Sequence, residues 1–213
     1  MSLSRQDLTD LIAGTLPSPQ LEHIVSSPKD DDRFQRLLEV LQARVPWSEK
    51  ILLALTEHLY VVEKDGQRIV KCDCGHEFGD WRRNWKLSAL ILARNDADSL
   101  QEIYPGLRRP DPALCEVREY ICPTCAALLK VEAVPVGYPV IFDALPDIDG
   151  LYRDWLHAPL PQQLEFVDTS LEVIREWATN RGARVGAQGL AQDPSPVTGP
   201  QPPPPSPREG EMP

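Results

Sequence analysis

The strings Cys72-Asp73-Cys74-Gly75-His76 and Cys122-Pro123-Thr124-Cys125 gather four of the chain's five cysteines into two short clips. Paired thiolates on tight turns are what a tetrahedral Zn²⁺ takes two at a time, and four of them leave no coordination position open for water. Gly75 and Pro123 are residues that let backbone turn sharply round a metal and aim its N–H groups at the sulfurs. About 47 residues separate Cys74 from Cys122, more than a minimal zinc ribbon needs, so a folded insertion is expected between the clips. Cys72, Cys74, Cys122 and Cys125 are therefore the expected ligands of a structural Zn²⁺ that staples a domain.

Four cysteines also admit two disulfides, a redox dithiol at Cys122 and Cys125, or inert free thiols. The opening MSLSRQDL carries no apolar leader, which points to a cytoplasmic protein whose thiols stay reduced. No βαβ pattern surrounds Cys122 and Cys125, and a second clip is present, which weighs against a redox pair. Cys115 precedes a strand-like run and reads as a small buried hydrophobe. His76 is held in reserve as a replacement ligand, its expected role being a hydrogen bond beside the first clip.

Other chemistry is sparse. The sequence holds no G-x-x-x-x-G-K-[ST] loop, no G-x-G-x-x-G after a strand, and neither H-E-x-x-H nor G-x-S-x-G, so the common nucleotide cradles and hydrolytic motifs are absent. Four histidines are scattered at positions 23, 58, 76 and 157. Asp147-Ile148-Asp149-Gly150 starts like a calcium loop, lacks the closing glutamate and reads as a turn. Trp81-Arg82-Arg83-Asn84-Trp85 interleaves aromatics with arginines, a pattern that serves nucleic-acid contact or, more simply, a protein interface or core anchor. The net charge of −10 would repel a phosphate backbone over most of the surface and argues against general nucleic-acid binding.

These residues need elements to position them. At 213 residues, 42% of them hydrophobic, the chain can bury one ordinary core with a small satellite, and no apolar run approaches the length of a membrane span. Ser4 and Asp7 open a short helix through Leu8, Leu11 and Ile12 that Gly14 closes, and Ser18-Pro19 starts a second through Leu21, Ile24 and Val25. Phe34, Leu37, Leu38 and Leu41 make the apolar stripe of a third. Residues 1–48 thus read as a helical arm, too short in each piece to stand alone in water and so expected to pack on the body or on another protein. Asp65-Gly66 between Tyr60-Val61-Val62 and Ile69-Val70 is a strong hairpin signal that delivers the chain to the first clip. Leu87 to Ala93 reads as a strand, Val117-Glu119-Ile121 alternates into the second clip, and Leu128-Leu129-Val131 leaves it. Residues 49–160 are expected to form a β-rich zinc-binding body, 161–185 a helix through Leu164, Val167, Leu171 and Ile174, and 186–213 a disordered tail rich in proline, with Pro202 to Pro205 consecutive. The fold class is α+β: a small antiparallel sheet with a zinc-ribbon-like site of four cysteines, short N-terminal helices, a C-terminal helix and the tail.

Several co-linear blocks carry a resemblance. Cys72-Asp73-Cys74-Gly75-His76-Glu77-Phe78-Gly79-Asp80-Trp81, then Asn84-Trp85-Lys86-Leu87-Ser88-Ala89, Glu102-Ile103-Tyr104-Pro105, Arg118 through Cys125, Tyr138-Pro139-Val140-Ile141 and Pro146-Asp147-Ile148 closely resemble the acetone carboxylase gamma subunit family. The likeness runs over roughly residues 5 to 160 and takes in Arg44-Val45-Pro46-Trp47. Acetophenone carboxylase has a related small subunit. The resemblance implies a small, non-catalytic zinc-binding subunit of an ATP-dependent, biotin-independent ketone carboxylase, assembled as a hetero-oligomer with large hydantoinase-like alpha and beta subunits. ATP, and a Mn²⁺ where there is one, would belong to those partners, while Cys72, Cys74, Cys122 and Cys125 would hold zinc here. The alternative is a free-standing zinc-ribbon module that binds nucleic acid or protein, with Arg82 and Arg83 as its contacts.

Overall fold

The computed structural model describes residues 3–106 and 108–176. Its strands form two antiparallel sheets, and the clips lie where the two come together. The first sheet has the order β1 (Lys50–Ala54), β2 (Leu59–Lys64), β3 (Gln67–Cys72), β4 (Glu77–Asp80). Asp65 and Gly66 both have positive φ, 50° and 75°, the backbone of a type I′ turn whose twist matches the strands it joins, and Lys64 pairs with Gln67 beneath it. Two-faced burial explains why β2 reads as an unbroken apolar run. Leu59 and Val61 join the main core, while Tyr60 and Val62 face a second cluster with Ile51, Ile69 and Leu41.

That second cluster is roofed by the helical arm. Helix α1 (Arg5–Ile12) opens on a capping box between Ser4 and Asp7, α2 (Ser18–Ser26) carries Pro19 in its first turn, and α3 (Arg33–Gln42) lays Leu37, Leu38 and Leu41 on the sheet. The expected packing of the arm on the body is thus met by α3. Helix α2 buries Ile24 but leaves Leu21 and Val25 exposed.

The second sheet has the order β5 (Leu90–Arg94), β6 (Cys115–Ile121), β7 (Leu128–Pro135), with α4 (Ala97–Ile103) between β5 and β6. The strand expected over Leu87 to Ala93 is split: Trp85–Ser88 forms a 3₁₀ turn capped by Asn84, and extension begins only at Leu90. Burial drives the difference, because Trp85 and Lys86 are pulled inward where a straight strand would send alternate residues out. The main core fills the space between the sheets with Leu52, Leu59, Val61, Val70, Phe78, Trp81, Trp85, Tyr120 and Leu129, and it includes Cys72 and Cys122.

Two buried ion clusters fasten the remaining segments. Lys86 has no exposed surface; its ammonium meets Glu132, the Asp143 carboxylate at 2.7 Å and the Ile141 carbonyl at 3.1 Å, so all three donors are satisfied. Arg68 grips Asp149 with two hydrogen bonds of 2.9 and 2.6 Å and donates a third to the Gln162 carbonyl. Asp149 belongs to α5 (Ile148–Gly150), a single turn capped by Asp147 and followed by a π-helical turn over Leu151–Trp155. The Asp147-to-Gly150 turn is therefore a helical one, and its second carboxylate is committed to Arg68.

The compact unit ends at Ile174 and a second begins at Arg175. Residues 163–169 have no regular structure and helix occupies 170–176, so the helix expected from 161 starts later in the chain. Leu164 instead donates its backbone N–H to Asp149, and Phe166 stacks on Trp81, so the segment is tied to the body at these two positions while Val167 stays exposed. Positions 177–185 of the expected helix, and the tail expected over 186–213, lie outside the described residues. The α+β class holds, with the strands shared between two sheets.

Candidate metal centre

Each clip is a tight reversal between paired strands. Cys72 closes β3, its N–H donating to the His76 carbonyl at 2.8 Å while Gly75 N–H returns to the Cys72 carbonyl at 2.9 Å. Cys122 follows β6 with the same plan: its N–H donates to the Ala127 carbonyl at 2.9 Å, and Ala126 N–H returns to the Cys122 carbonyl at 3.0 Å. In both, the residue after the second cysteine has positive φ, 101° at Gly75 and 60° at Ala126. Glycine takes that conformation freely, whereas alanine is strained in it.

The two clips bring their sulfurs together from different sheets. Cys72 Sγ lies 3.8 Å from Cys125 Sγ, Cys74 Sγ lies 3.8 Å from Cys122 Sγ, and all four lie within 4.8 Å of one another. A tetrahedron with metal–sulfur bonds of about 2.3 Å has edges of about 3.8 Å, so the donor set fits a metal ion of that kind. All five cysteines are free thiols, and 3.8 Å is far beyond the roughly 2.05 Å of a disulfide. Cys72 and Cys122 are buried, Cys74 is half-buried and Cys125 is exposed, so the centre sits at the rim of the core.

Backbone amides point at the sulfurs as the turn residues suggest. Cys74 N–H approaches the Cys72 sulfur, His76 N–H that of Cys74, and the amides of Thr124 and Cys125 that of Cys122. Burial pushes the Cys72 and Cys74 thiols up. At Cys122 burial pushes the same way, but the amides of Cys125 and Thr124 outweigh it and bring the thiol below its ordinary value. Four sulfur anions this close would repel one another, and a cation among them offsets that charge. With one they fill its coordination sphere, which suits a structural centre.

Residues around the clips hold them in place. Trp47 Nε1–H donates to the carbonyls of both Cys72 and Asp73, at 3.1 Å each. Asp73 is also held by His58, whose Nδ1 lies 2.6 Å from the carboxylate. His76 is not among the clustered ligand atoms; its Nδ1 meets Thr124 Oγ1 at 2.9 Å and so links the first clip to the second. Cys115 stands outside the cluster too, half-buried at the start of β6. The roles of Trp47, His58 and Asp73 escape a reading based on spacing, because the contacts of Trp47 and His58 reach the first clip from 15 to 26 positions away.

The Trp81–Trp85 segment is a core anchor. Trp81 and Trp85 are buried, Arg82 is paired with Asp80 at 2.8 Å, and Arg83 faces Glu172 at 3.5 Å. Among the described residues no helix is long and apolar enough to cross a membrane.

Comparison with known proteins meets this geometry from another direction. The family model for the acetone carboxylase gamma subunit matches residues 45–156, a span that contains both clips, both sheets and Trp47. The acetone carboxylase gamma subunit of Xanthobacter autotrophicus (strain ATCC BAA-1158 / Py2) is 42% identical over 167 residues, covering 78% of this chain and 99% of that protein. The acetophenone carboxylase beta subunit of Aromatoleum aromaticum (strain DSM 19018 / LMG 30748 / EbN1) is 28% identical over 81 residues, 37% of this chain and 63% of that protein. A match that takes in 99% of the relative, together with a family model that spans both sheets and both cysteine clips, means that this chain belongs to the acetone carboxylase gamma subunit family.

Proposed function

We propose that this chain is a non-catalytic subunit of an ATP-dependent, biotin-independent ketone carboxylase of the acetone or acetophenone type, and that Cys72, Cys74, Cys122 and Cys125 hold a structural Zn²⁺. The arm of residues 1–48 and the body of residues 49–160 make one adaptor for large alpha and beta subunits, which carry nucleotide and ketone. The observation that carries this reading is the meeting of four sulfurs, two from each clip, within 4.8 Å. Zinc saturated by four thiolates has no site for substrate or water, so its contribution is to lock one sheet against the other. Family membership supplies the carboxylase context, and the absence of a phosphate-binding loop from the sequence leaves nucleotide chemistry to the partners.

Elemental analysis of the chain purified without chelator is expected to give about one zinc per chain. Cys122→Ala should remove that zinc and open the body to proteolysis, and the isolated chain should turn over no ATP when given ketone and bicarbonate. A fully metallated Cys122→Ala protein would overturn the ligand assignment. ATP hydrolysis by the pure chain would overturn the non-catalytic role.

A further inference from the structure

Strand β5 lies at the edge of the second sheet and lacks the usual protection of an edge. Leu90, Ile91 and Leu92 are 56%, 42% and 45% exposed, so apolar side chains project on both sides of the strand. Its register with β6 is regular, with no bulge, and from Leu90 to Ala93 it contains neither proline nor a charged residue. Among the described residues, no backbone hydrogen bond other than those to β6 reaches Leu90 to Arg94. Proteins that leave such an edge free in solution normally blunt it with charge, proline or a bulge.

The sheet face beside the edge continues the apolar surface. Leu90 is in register with Ile121 and Leu128, and Leu92 with Glu119 and Val131. Residues directly opposite share a face, and Leu128 and Val131 are exposed. Ile121 and Leu128 flank the second clip, so the candidate metal centre fixes one end of this surface. The other end is polar: Arg94 is held by Glu119 at 2.8 Å and by Glu102 at 2.6 Å, and the Glu102 side chain is 70% exposed.

We infer that an extended segment of a large carboxylase subunit adds to this sheet along β5, an inference that rests on the proposed function. The segment would be apolar opposite Leu90 to Leu92 and basic where it passes Glu102, since two carboxylates there share one guanidinium. A second copy of this chain fits less well. Antiparallel pairing along the whole strand would set Leu90 against Arg94 and desolvate its ion cluster, and two chains of net charge −10 repel each other. Strand addition supplies main-chain hydrogen bonds for affinity and alternate side chains for selection.

Hydrogen–deuterium exchange on the free chain and on the complex co-purified with its large subunits tests this directly. Those amides of Leu90 to Arg94 that point away from β6 should exchange fast in the free chain and slow at least tenfold in the complex. Leu90→Lys and Leu92→Lys, both at exposed positions, should weaken assembly by about tenfold or more while the free variants keep wild-type zinc content and circular dichroism. Val25→Lys, on α2, should assemble normally. Unchanged exchange at Leu90 to Arg94, normal assembly of the two lysine variants, or concentration-dependent self-association that protects β5 would overturn the docking surface and leave the carboxylase reading intact. Failure of the wild-type chain to associate with large subunits at all would overturn both.

Discussion

At Ala126 the chain keeps a residue with a Cβ at a φ of 60°, where the equivalent position of the first clip has glycine. The left-handed region costs an L-residue about 1–2 kcal/mol, so Ala126→Gly should stabilise the protein by about 1 kcal/mol, less a few tenths for the freer unfolded chain. Gly75→Ala runs the other way. Its new Cβ would meet Trp47 Cδ1 at 3.6 Å, an ordinary contact, so the expected loss of about 1–3 kcal/mol comes from backbone strain at 101°. Urea midpoints of the zinc-loaded proteins should move in opposite directions, and a shared direction would contradict the paired geometry of the clips. The cysteine pattern was legible because ligands to one ion repeat in short clips. Ala126 was not, since nothing in its residue type signals positive φ, and Trp47 was named only as part of a shared block because its two carbonyl acceptors lie far along the chain.

Among the elements, the β2–β3 hairpin could be read directly: Asp65-Gly66 is a local signal and the turn is local structure. Helix α3 could be read as well, since its stripe of Leu37, Leu38 and Leu41 meets the outer face of β1 to β3. The 85–94 segment was legible only in part, because the inward pull on Trp85 and Lys86 comes from tertiary partners on β6, β7 and the 141–143 segment. The same logic separates the helices energetically. Leu41 is buried against Ile51, Tyr60, Val62 and Ile69, so Leu41→Ala should cost about 2–5 kcal/mol through lost burial and an unfilled cavity. Val25 on α2 is 69% exposed, and Val25→Ala should change stability by no more than about 0.5 kcal/mol. Denaturant titration of the two variants checks the contrast. Equal effects would mean that α3 is not the helix that roofs the sheet.

For the molecule as a whole, two kinds of fastening are at issue: the metal proposed at the sulfur cluster between the sheets, and the buried ion pairs that tie the later segments to them. The pairs were illegible in sequence, since Arg68 and Asp149 stand 81 positions apart and no pattern links them. Acid should release the two fastenings in order. Burial alone would raise the carboxyls of Asp149, Glu132 and Asp143. Arg68 and the Leu164 amide outweigh it at Asp149, as do Lys86, Tyr120 and Lys130 at Glu132, and Lys130 and Lys86 at Asp143, and all three end below their ordinary values. A carboxyl lowered in the folded state contributes stability above its unfolded pKa and loses it as pH falls through the folded value, which places their failure below about pH 4. Thiolate ligands have intrinsic pKa values of about 8.5, and protons compete with the metal for them over a range above that window. The proposed zinc, followed with a chromogenic chelator, should therefore leave at a higher pH than the one at which far-ultraviolet circular dichroism collapses. Between the two, the sheets should persist while the Cys122 to Ala127 turn becomes open to protease. A single coincident transition for metal release and loss of secondary structure would mean instead that the sheets cannot hold together without the ion.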